Sequence, residues 1–590
     1  MPELASDPIS DPPRSGVPQV LTHPPVFRPG LPGWLLLGTI GVGAVLRLSA
    51  ASHGGLWRDE ALFLFVSRME PLSKLLNFLR LHESHPPGFY LLMRWWSGLL
   101  GRSESAAVGL SLVFGVALIP LAYFVASRFF GWRVGLFAAA LVSVSPPLIH
   151  LSILVRPYAM LAVLCVLAAY LLWECLRGAP TETWVLYVVS MVAMLYTHNW
   201  TLLVFGAHLL IGAVWLATRA PENRRVLVRR WVRAQGFILV AYEPWVPFLI
   251  HQFRHAGHIP SPTLSAGPYF VAAKVLAGAK LSWVLAILFV AAVAGWLHRR
   301  RGRRGSSGDG LTLGLALTVG VPAIVLMMAL LLSRSTNLLP PWCVAVLAPL
   351  VLFAFARFLA WVHETGAWRE AYAAGGAVLV LYCLSWYRDP EDLKSNARET
   401  AIAVGTRAAA GDLIIVTPEP LASSFNYYFR AKNPQIDFPA MQREQVVRYD
   451  DRFTRLTSEA GLARAMARID TARAQGRRVW FVMEAEDMAD KFVRPLAAAD
   501  TARGYLHPLL LKQSNQLRQH LVSLYGEPAL RLMPSPRDQG LELLGALLFD
   551  PAPRSRSASL AGRVACKIVV AAGRRDETEL QTDTLATCAP

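Results

Sequence analysis

Between residues 34 and 387 the chain returns repeatedly to apolar runs long enough to cross a lipid bilayer, and this limits its folds more than any single motif does. Hydrocarbon offers backbone N–H and C=O groups no partner, so such runs must satisfy themselves as helices. A crossing takes roughly 20 apolar residues. Segments of this kind lie at 34–48, 104–127, 134–153, 157–176, 183–197, 200–218, 234–250, 274–297, 311–333, 341–361 and 371–387. Charged residues make up 17% of the chain, against about 25% in an ordinary soluble domain, and the deficit falls in the first two thirds. The class implied is a polytopic α-helical membrane protein. Residues 1–32 are rich in Pro and Ser without periodicity and read as a disordered cytoplasmic tail. The run at 34–48 starts too far from the N-terminus for an ordinary cleaved signal and reads as a signal anchor.

The net charge of +18 does not point to nucleic acid. Basic residues gather between apolar runs, as in Arg224, Arg225, Arg229, Arg230 and Arg233, and again in Arg299, Arg300, Arg301, Arg303 and Arg304. That is the pattern of cytoplasmic loops under the positive-inside rule. No basic patch interleaved with stacking aromatics accompanies them. With both clusters inside, counting back places His150 and His198 outside and Arg128 and Arg133 inside. The segment 88–100, with Arg94 and Trp95-Trp96, is short enough to be interfacial or re-entrant. The count is about eleven crossings, N-terminus inside and the region after 388 outside.

Beyond residue 388 the composition is that of a soluble domain. Buried strands are expected at Leu413–Val416, 478–483 and 541–549, with helices near 419–430, 457–474 and 512–525, so 388–550 reads as a small α/β domain. Residues 551–590 read as a flexible tail. Cys165, Cys175, Cys343 and Cys383 lie in apolar runs, whereas Cys566 and Cys588 lie in the tail and could pair if it is extracytoplasmic. No spacing suggests a zinc site and no phosphate-binding glycine loop occurs.

Chemistry concentrates in the outer loops. Trp57-Arg58-Asp59-Glu60 follows the first apolar run. Adjacent carboxylates at a membrane surface are costly unless solvated, paired or used. They suit a base for an acceptor hydroxyl, or they cap a helix, Asp59 as N-cap and Glu60 in the first turn. Glu83 and His85, the latter in His85-Pro86-Pro87, could touch phosphate or ligate a metal. A second copy, His23-Pro24-Pro25, lies in the plain tail, so the tripeptide alone decides nothing. Arg156-Pro157-Tyr158 opens an apolar run, where an arginine either clamps a lipid phosphate or snorkels to a headgroup. His198 sits in Tyr196-Thr197-His198-Asn199, and His251, Arg254, His255, His258, Lys274 and Lys280 follow in another outer stretch as phosphate contacts or interfacial anchors. The signal is that separate loops converge on one face.

This ordered set resembles the bacterial GT-C class membrane glycosyltransferases, in particular the protein mannosyltransferase-like, aminoarabinose-transferase-like and rhizobial lipopolysaccharide glycosyltransferase-like groups. The elements are Asp-Glu in the first outer loop, His-Pro-Pro before a short helix, Arg-Pro-Tyr opening a later one, and Tyr-Thr-His between two more, over roughly 31–430 including Gly411-Asp412. The resemblance implies a transmembrane glycosyltransferase domain over 33–387, with a catalytic outer loop at 51–87. It implies a polyprenyl-phosphate-sugar donor within the membrane lipid and inverting transfer of a hexosyl or pentosyl group to an envelope glycolipid, glycan or protein. It places the enzyme in the bacterial inner membrane, with its site and α/β domain facing the periplasm. Asp59 is then the catalytic carboxylate, Glu60 supports acceptor or metal binding, and His85, Arg156, Tyr158 and His198 attend the donor phosphate. No cofactor is certain. A divalent metal on Asp59, Glu83 and His85 is one candidate. Two departures stand out: relatives often read Ser-Arg-Glu-x-Arg-Pro-Tyr where this chain has Leu154 in place of the glutamate, and they tend to show Arg-Tyr where it has Pro341-Trp342, with Arg334 as a substitute. A flippase of a lipid-linked saccharide and a non-catalytic envelope scaffold are the alternatives.

Overall fold

The computed structural model describes residues 31–52, 54–83, 85–218, 221–255, 309–332, 341–364, 366, 368–388, 392–443, 459–485, 506–534, 539–551, 565–567 and 587–588. The first helix, α1 (Leu31–Ala51), is followed by three short helices: α2 (Arg58–Ser67), α3 (Leu72–Leu81) and α4 (Gly88–Leu100). Then come α5 (Glu104–Phe130), α6 (Trp132–Val144), α7 (Pro146–Ile153), α8 (Tyr158–Leu176), α9 (Thr181–Leu195), α10 (Thr201–Ala217), α11 (Pro221–Tyr242) and α12 (Val246–His255). The helical part closes with α13 (Asp309–Leu315), α14 (Val321–Leu332), α15 (Pro341–Ala345), α16 (Ala348–Glu364) and α17 (Trp368–Arg388).

Helix α5 begins where the Ser103 hydroxyl accepts the Ala106 N–H at 3.1 Å and ends at Gly131 with φ +97°. The run 134–153 is a bent pair, α6 and α7 meeting at 58°. The cause is Pro146-Pro147: neither has an N–H for the carbonyls of Val142 and Ser143 four residues earlier. Arg47 of α1 supplies those donors, giving N–H bonds of 3.1 Å to Val142 O and 2.8 Å to Ser143 O. It also donates to Ser152 Oγ at 3.1 Å. One fully buried guanidinium therefore repairs the break and ties α1 to α6 and α7.

The protein is a multi-pass membrane protein: four described helices are long and apolar enough to cross a bilayer, five if the bent pair counts as one span. The expected count of about eleven is not reached among the described residues. The runs at 183–197 and 200–218 become α9 and α10, of 15 and 17 residues, the run at 341–361 breaks into α15 and α16, and 274–297 lies outside the described residues. At 13 residues, about 20 Å, α4 is too short to cross. The arginines at 224–233 sit on a helix, α11, rather than in a loop.

The C-terminal region comprises β1 (Asp392–Ser395), α18 (Ala397–Arg407), β2 (Leu413–Val416), α19 (Leu421–Tyr428), β3 (Gln435–Asp437), α20 (Glu459–Ala474), β4 (Val479–Glu484) and α21 (Leu506–Tyr525). After these come β5 (Leu530–Met533), β6 (Gln539–Glu542), β7 (Leu544–Phe549), β8 (Ala565–Lys567) and β9 (Thr587–Cys588). Seven strands form one sheet in the order β3-β2-β4-β7-β5-β8-β9, while β1 and β6 pair as a separate parallel ribbon. The expected strand 541–549 is thus two, because Glu542 belongs to the ribbon and Leu544 to the sheet. Strand β2 is buried on both faces: Ile414 and Val416 meet Val404 and Phe425 of α18 and α19, and Leu413 and Ile415 meet Ile469 and Leu517 of α20 and α21. The β8–β9 pairing sets Cys566 opposite Cys588 in the ladder.

Candidate functional site

One end of the helical bundle collects the end of α1, the start of α5, the α7–α8 junction and the α9–α10 turn, and the α/β region packs on it. The Arg398–Glu104 ion pair at 2.6 Å and the Tyr428 hydroxyl donating to Glu104 at 2.7 Å fix that contact. Arg128, Arg133 and Arg177 gather at helix ends on the other side.

The Trp57-Arg58-Asp59-Glu60 segment forms the start of α2, with Trp57 rather than Asp59 as the N-cap. Successive carboxylates on a helix point in different directions, and here they part company. Glu60 is fully buried: its Oε2 accepts the Trp57 N–H at 3.2 Å, and its Oε1 accepts the Val155 N–H at 2.6 Å and Lys394 Nζ at 3.2 Å. Its oxygens are committed inside the protein, so the place expected for it beside an acceptor or metal is not where it lies. Asp59 remains half-buried and close enough to Arg156 and Tyr158 to act on both electrostatically.

Arg156 sits at the hub. The segment after α7 is extended at Leu154, whose carbonyl accepts the Ser111 hydroxyl at 2.5 Å, and the Glu60 bond to Val155 holds the next residue. Arg156 is 8% exposed, and its Nε–H is buried without a hydrogen-bond partner. Burial by itself would lower the guanidinium pKa, but Tyr158, Tyr90, Asp59 and Glu83 together outweigh it, and the pKa is raised. The cation is secure. Phe63 lies 6.0 Å from it and leans on Phe89 and Tyr90.

His85 Nδ1 meets Glu83 Oε1 at 2.8 Å, which assigns the proton to Nδ1 and leaves Nε2 facing Arg156 Nη2 at 3.5 Å. The His85 and His198 rings meet edge to face at 4.7 Å, and Tyr158 lies 5.9 Å from His198. His198 Nδ1 accepts the Trp200 N–H at 3.1 Å, so its Nε2 carries the proton, toward Cys343 Sγ at 3.8 Å. Burial, with the positive charge of Arg156 nearby, keeps His198 well below the ordinary imidazole pKa, and it is neutral at pH 7. The two histidine loops are locked by the Gly88 N–H bond to Tyr196 O at 2.7 Å; a Cβ on Gly88 would come within 2.6 Å of that oxygen.

The structure thus brings Asp59, Glu83, His85, Arg156, Tyr158 and His198 together and sends Glu60 elsewhere. It adds Trp342 and Cys343 from α15: Trp342 meets Trp57 at 5.8 Å between ring centroids, and the buried Trp57 Nε1–H also lacks a partner. Lys394 is a further addition, with no sequence signal, being 334 residues from the carboxylate it meets. His251 lies on α12, Arg254 and His255 have no described side chains, and His258, Lys274, Lys280 and Arg334 lie outside the described residues. A metal on Asp59, Glu83 and His85 does not fit, because Glu83 and His85 bind each other; among the described residues no group of three His, Cys, Asp or Glu side chains is placed to hold an ion.

Residues 84–251 match the family model described as dolichyl-phosphate-mannose-protein mannosyltransferase. That stretch holds His85, Arg156, Tyr158 and His198 but ends short of Asp59 on the N-terminal side. The chain resembles the GT-C membrane glycosyltransferases. Similar solved structures include ArnT from Cupriavidus metallidurans bound to undecaprenyl phosphate (13% identity, 78% of this chain and 94% of that one, TM-score 0.46). Others are the apo Archaeoglobus fulgidus oligosaccharyltransferase (10%, 78% and 70%, 0.46) and the mycobacterial arabinofuranosyltransferase AftD (15%, 88% and 40%, 0.44). No curated protein matches the chain in sequence.

Proposed function

We propose that the protein is a membrane glycosyltransferase that moves a sugar from a polyprenyl-phosphate donor to an envelope acceptor with inversion at the anomeric carbon. The observation that carries this reading is Arg156, a charged, buried guanidinium with an unspent N–H, beside the half-buried carboxylate of Asp59 at the mouth of apolar helices. Glycosyl transfer from a lipid phosphate needs those two groups: a cation for the leaving phosphate and a base for the acceptor hydroxyl.

In the reaction the acceptor oxygen attacks the anomeric carbon and its proton passes to Asp59. The bond from that carbon to the phosphate oxygen breaks, and its electron pair leaves with the phosphate. Arg156 neutralises the charge that grows there, and neutral His198, with Tyr158, lines the same pocket. His85 is held in one tautomer by Glu83 and so presents a defined edge toward the guanidinium. Glu60 acts through the backbone it holds. The arginine-rich end of the bundle faces the cytoplasm by the positive-inside rule, which puts the site and the α/β region on the outer face of the inner membrane. The acceptor, whether glycolipid, glycan or protein, enters from that side.

The test is a deletion strain complemented with wild type or Asp59→Asn, its envelope glycans and glycolipids compared by mass spectrometry. A hexose- or pentose-sized increment lost on deletion and restored only by wild type is the expected result. Full rescue by normally expressed Asp59→Asn would overturn the mechanism and favour a flippase or scaffold.

A further inference from the structure

The N–H groups of four consecutive residues, Gly55 to Arg58, have unusual partners. Gly55 donates to the carbonyl of Ser395 at 2.8 Å, Leu56 to the hydroxyl of Tyr428 at 2.7 Å and Arg58 to the carboxylate of Glu542 at 3.2 Å. All three acceptors belong to the α/β region, more than 300 residues away. The fourth, Trp57, donates to Glu60, and Glu60 is itself held by Lys394 of β1.

Lys394 reaches further. It is 2% exposed and also donates to the carbonyl of Ile153 at 3.1 Å, while the Glu60 oxygen it binds accepts the Val155 N–H. One buried ion pair therefore fixes the backbone on each side of the site: Glu60 stands next to Asp59, and Val155 next to Arg156. An unpaired buried charge is strongly destabilising, whereas a pair with every remaining lone pair and proton satisfied is tolerated and holds geometry. Reacting groups must be held to within roughly half an ångström to be effective.

We infer that the α/β region is a positioning device for the catalytic loop, and that Lys394 and Glu60 are the positioning residues setting Asp59 against Arg156. This rests on the glycosyltransferase reading for what Asp59 and Arg156 do, but the clamp can be tested without it. The test uses the full chain in nanodiscs and the double variant Glu60→Leu/Lys394→Met. It leaves no buried charge, so the fold is retained, but it removes the acceptor for the Trp57 and Val155 N–H groups. Lys394→Met alone and Lys394→Arg accompany it.

Hydrogen exchange is followed by mass spectrometry in peptides covering 54–60 and 153–157, with 413–416 and 479–484 as internal controls. The double variant should exchange about tenfold faster or more in the first two and at the wild-type rate in the controls. It should also bind undecaprenyl phosphate about tenfold more weakly, with Lys394→Arg between it and wild type. Unchanged protection at 54–60 and 153–157, or exchange that rises equally in the control strands, would overturn the positioning role. Loosened loops with unaltered phosphate affinity would overturn the link to Arg156. Arg156→Met separates the two readings: if it leaves undecaprenyl phosphate binding intact, the function proposed above fails while the clamp stands.

Discussion

Replacing Arg156 by Met keeps the length of the stem and its packing beside Phe63 but removes the guanidinium. The structure sets the size of the effect. The Nε–H has no partner, and the Nη2 contact to His85 at 3.5 Å is too long to be a strong bond, so two donors are available to a phosphate. Each charged hydrogen bond to phosphate is worth about 1.5–3 kcal/mol, so the pair supplies about 3–6 kcal/mol. At about 1.4 kcal/mol per decade, affinity for a lipid phosphate should fall by between about a hundredfold and about ten-thousandfold. Asp59 and Glu83, no longer neutralised, repel the phosphate and push in the same direction. Arg156→Lys restores the charge but not the planar fork, and should recover about half of the loss on a logarithmic scale. The assay is a titration of undecaprenyl phosphate into nanodisc-embedded protein, read by tryptophan fluorescence, since Trp57 and Trp342 flank the site. Folding is checked by thermal melting. A loss under about threefold in a folded Arg156→Met protein would refute the reasoning, because two desolvated charged bonds cannot be worth under about 1 kcal/mol.

Glu542 makes the clamp sensitive to pH. Burial, with Glu484 nearby, lifts its pKa from 4.5 to about 7 against the pull of Arg58 and Ser424. The folded protein therefore binds the proton more tightly than the unfolded chain, so the stability this group contributes is full below pH 4.5 and lost as pH rises through about 7. The span is about 3 kcal/mol, and Glu542→Gln should flatten that slope in thermal melts taken between pH 5 and 8. An unchanged slope would show that Glu542 does not titrate there. Gly88→Ala places a methyl group within 2.6 Å of Tyr196 O and must part the His85 and His198 loops. It should cost about 1–3 kcal/mol in unfolding experiments and slow sugar transfer without abolishing expression; wild-type stability would contradict the packing described.

The sequence alone was enough for the elements that depend on local pattern. Runs of apolar residues give helices in hydrocarbon whatever surrounds them, and a double-sided apolar tetrapeptide such as Leu413–Val416 reads as a buried strand. The short α4 and the convergence of the His85, Arg156 and His198 loops on one face were legible too, because segment length and ordered loop motifs are local properties. The run at 134–153, by contrast, reads as one segment, and its bend at Pro146-Pro147 emerges only in the structure. The roles of Asp59 and Glu60 were not separable in this way. Neighbours in sequence look alike as chemistry, yet a helix start turns one toward Arg156 and the other toward Lys394, and only the tertiary structure brings that lysine across 334 residues. The same holds for Arg47, which reads as a lone charge in a membrane helix until the carbonyls orphaned by two distant prolines are seen to accept its protons. Local pattern fixes which segments become helices and strands, because backbone hydrogen bonding is decided within a few residues. Which buried charge meets which partner is decided by packing, because desolvation forces each charge to find a counterpart wherever the chain happens to supply one.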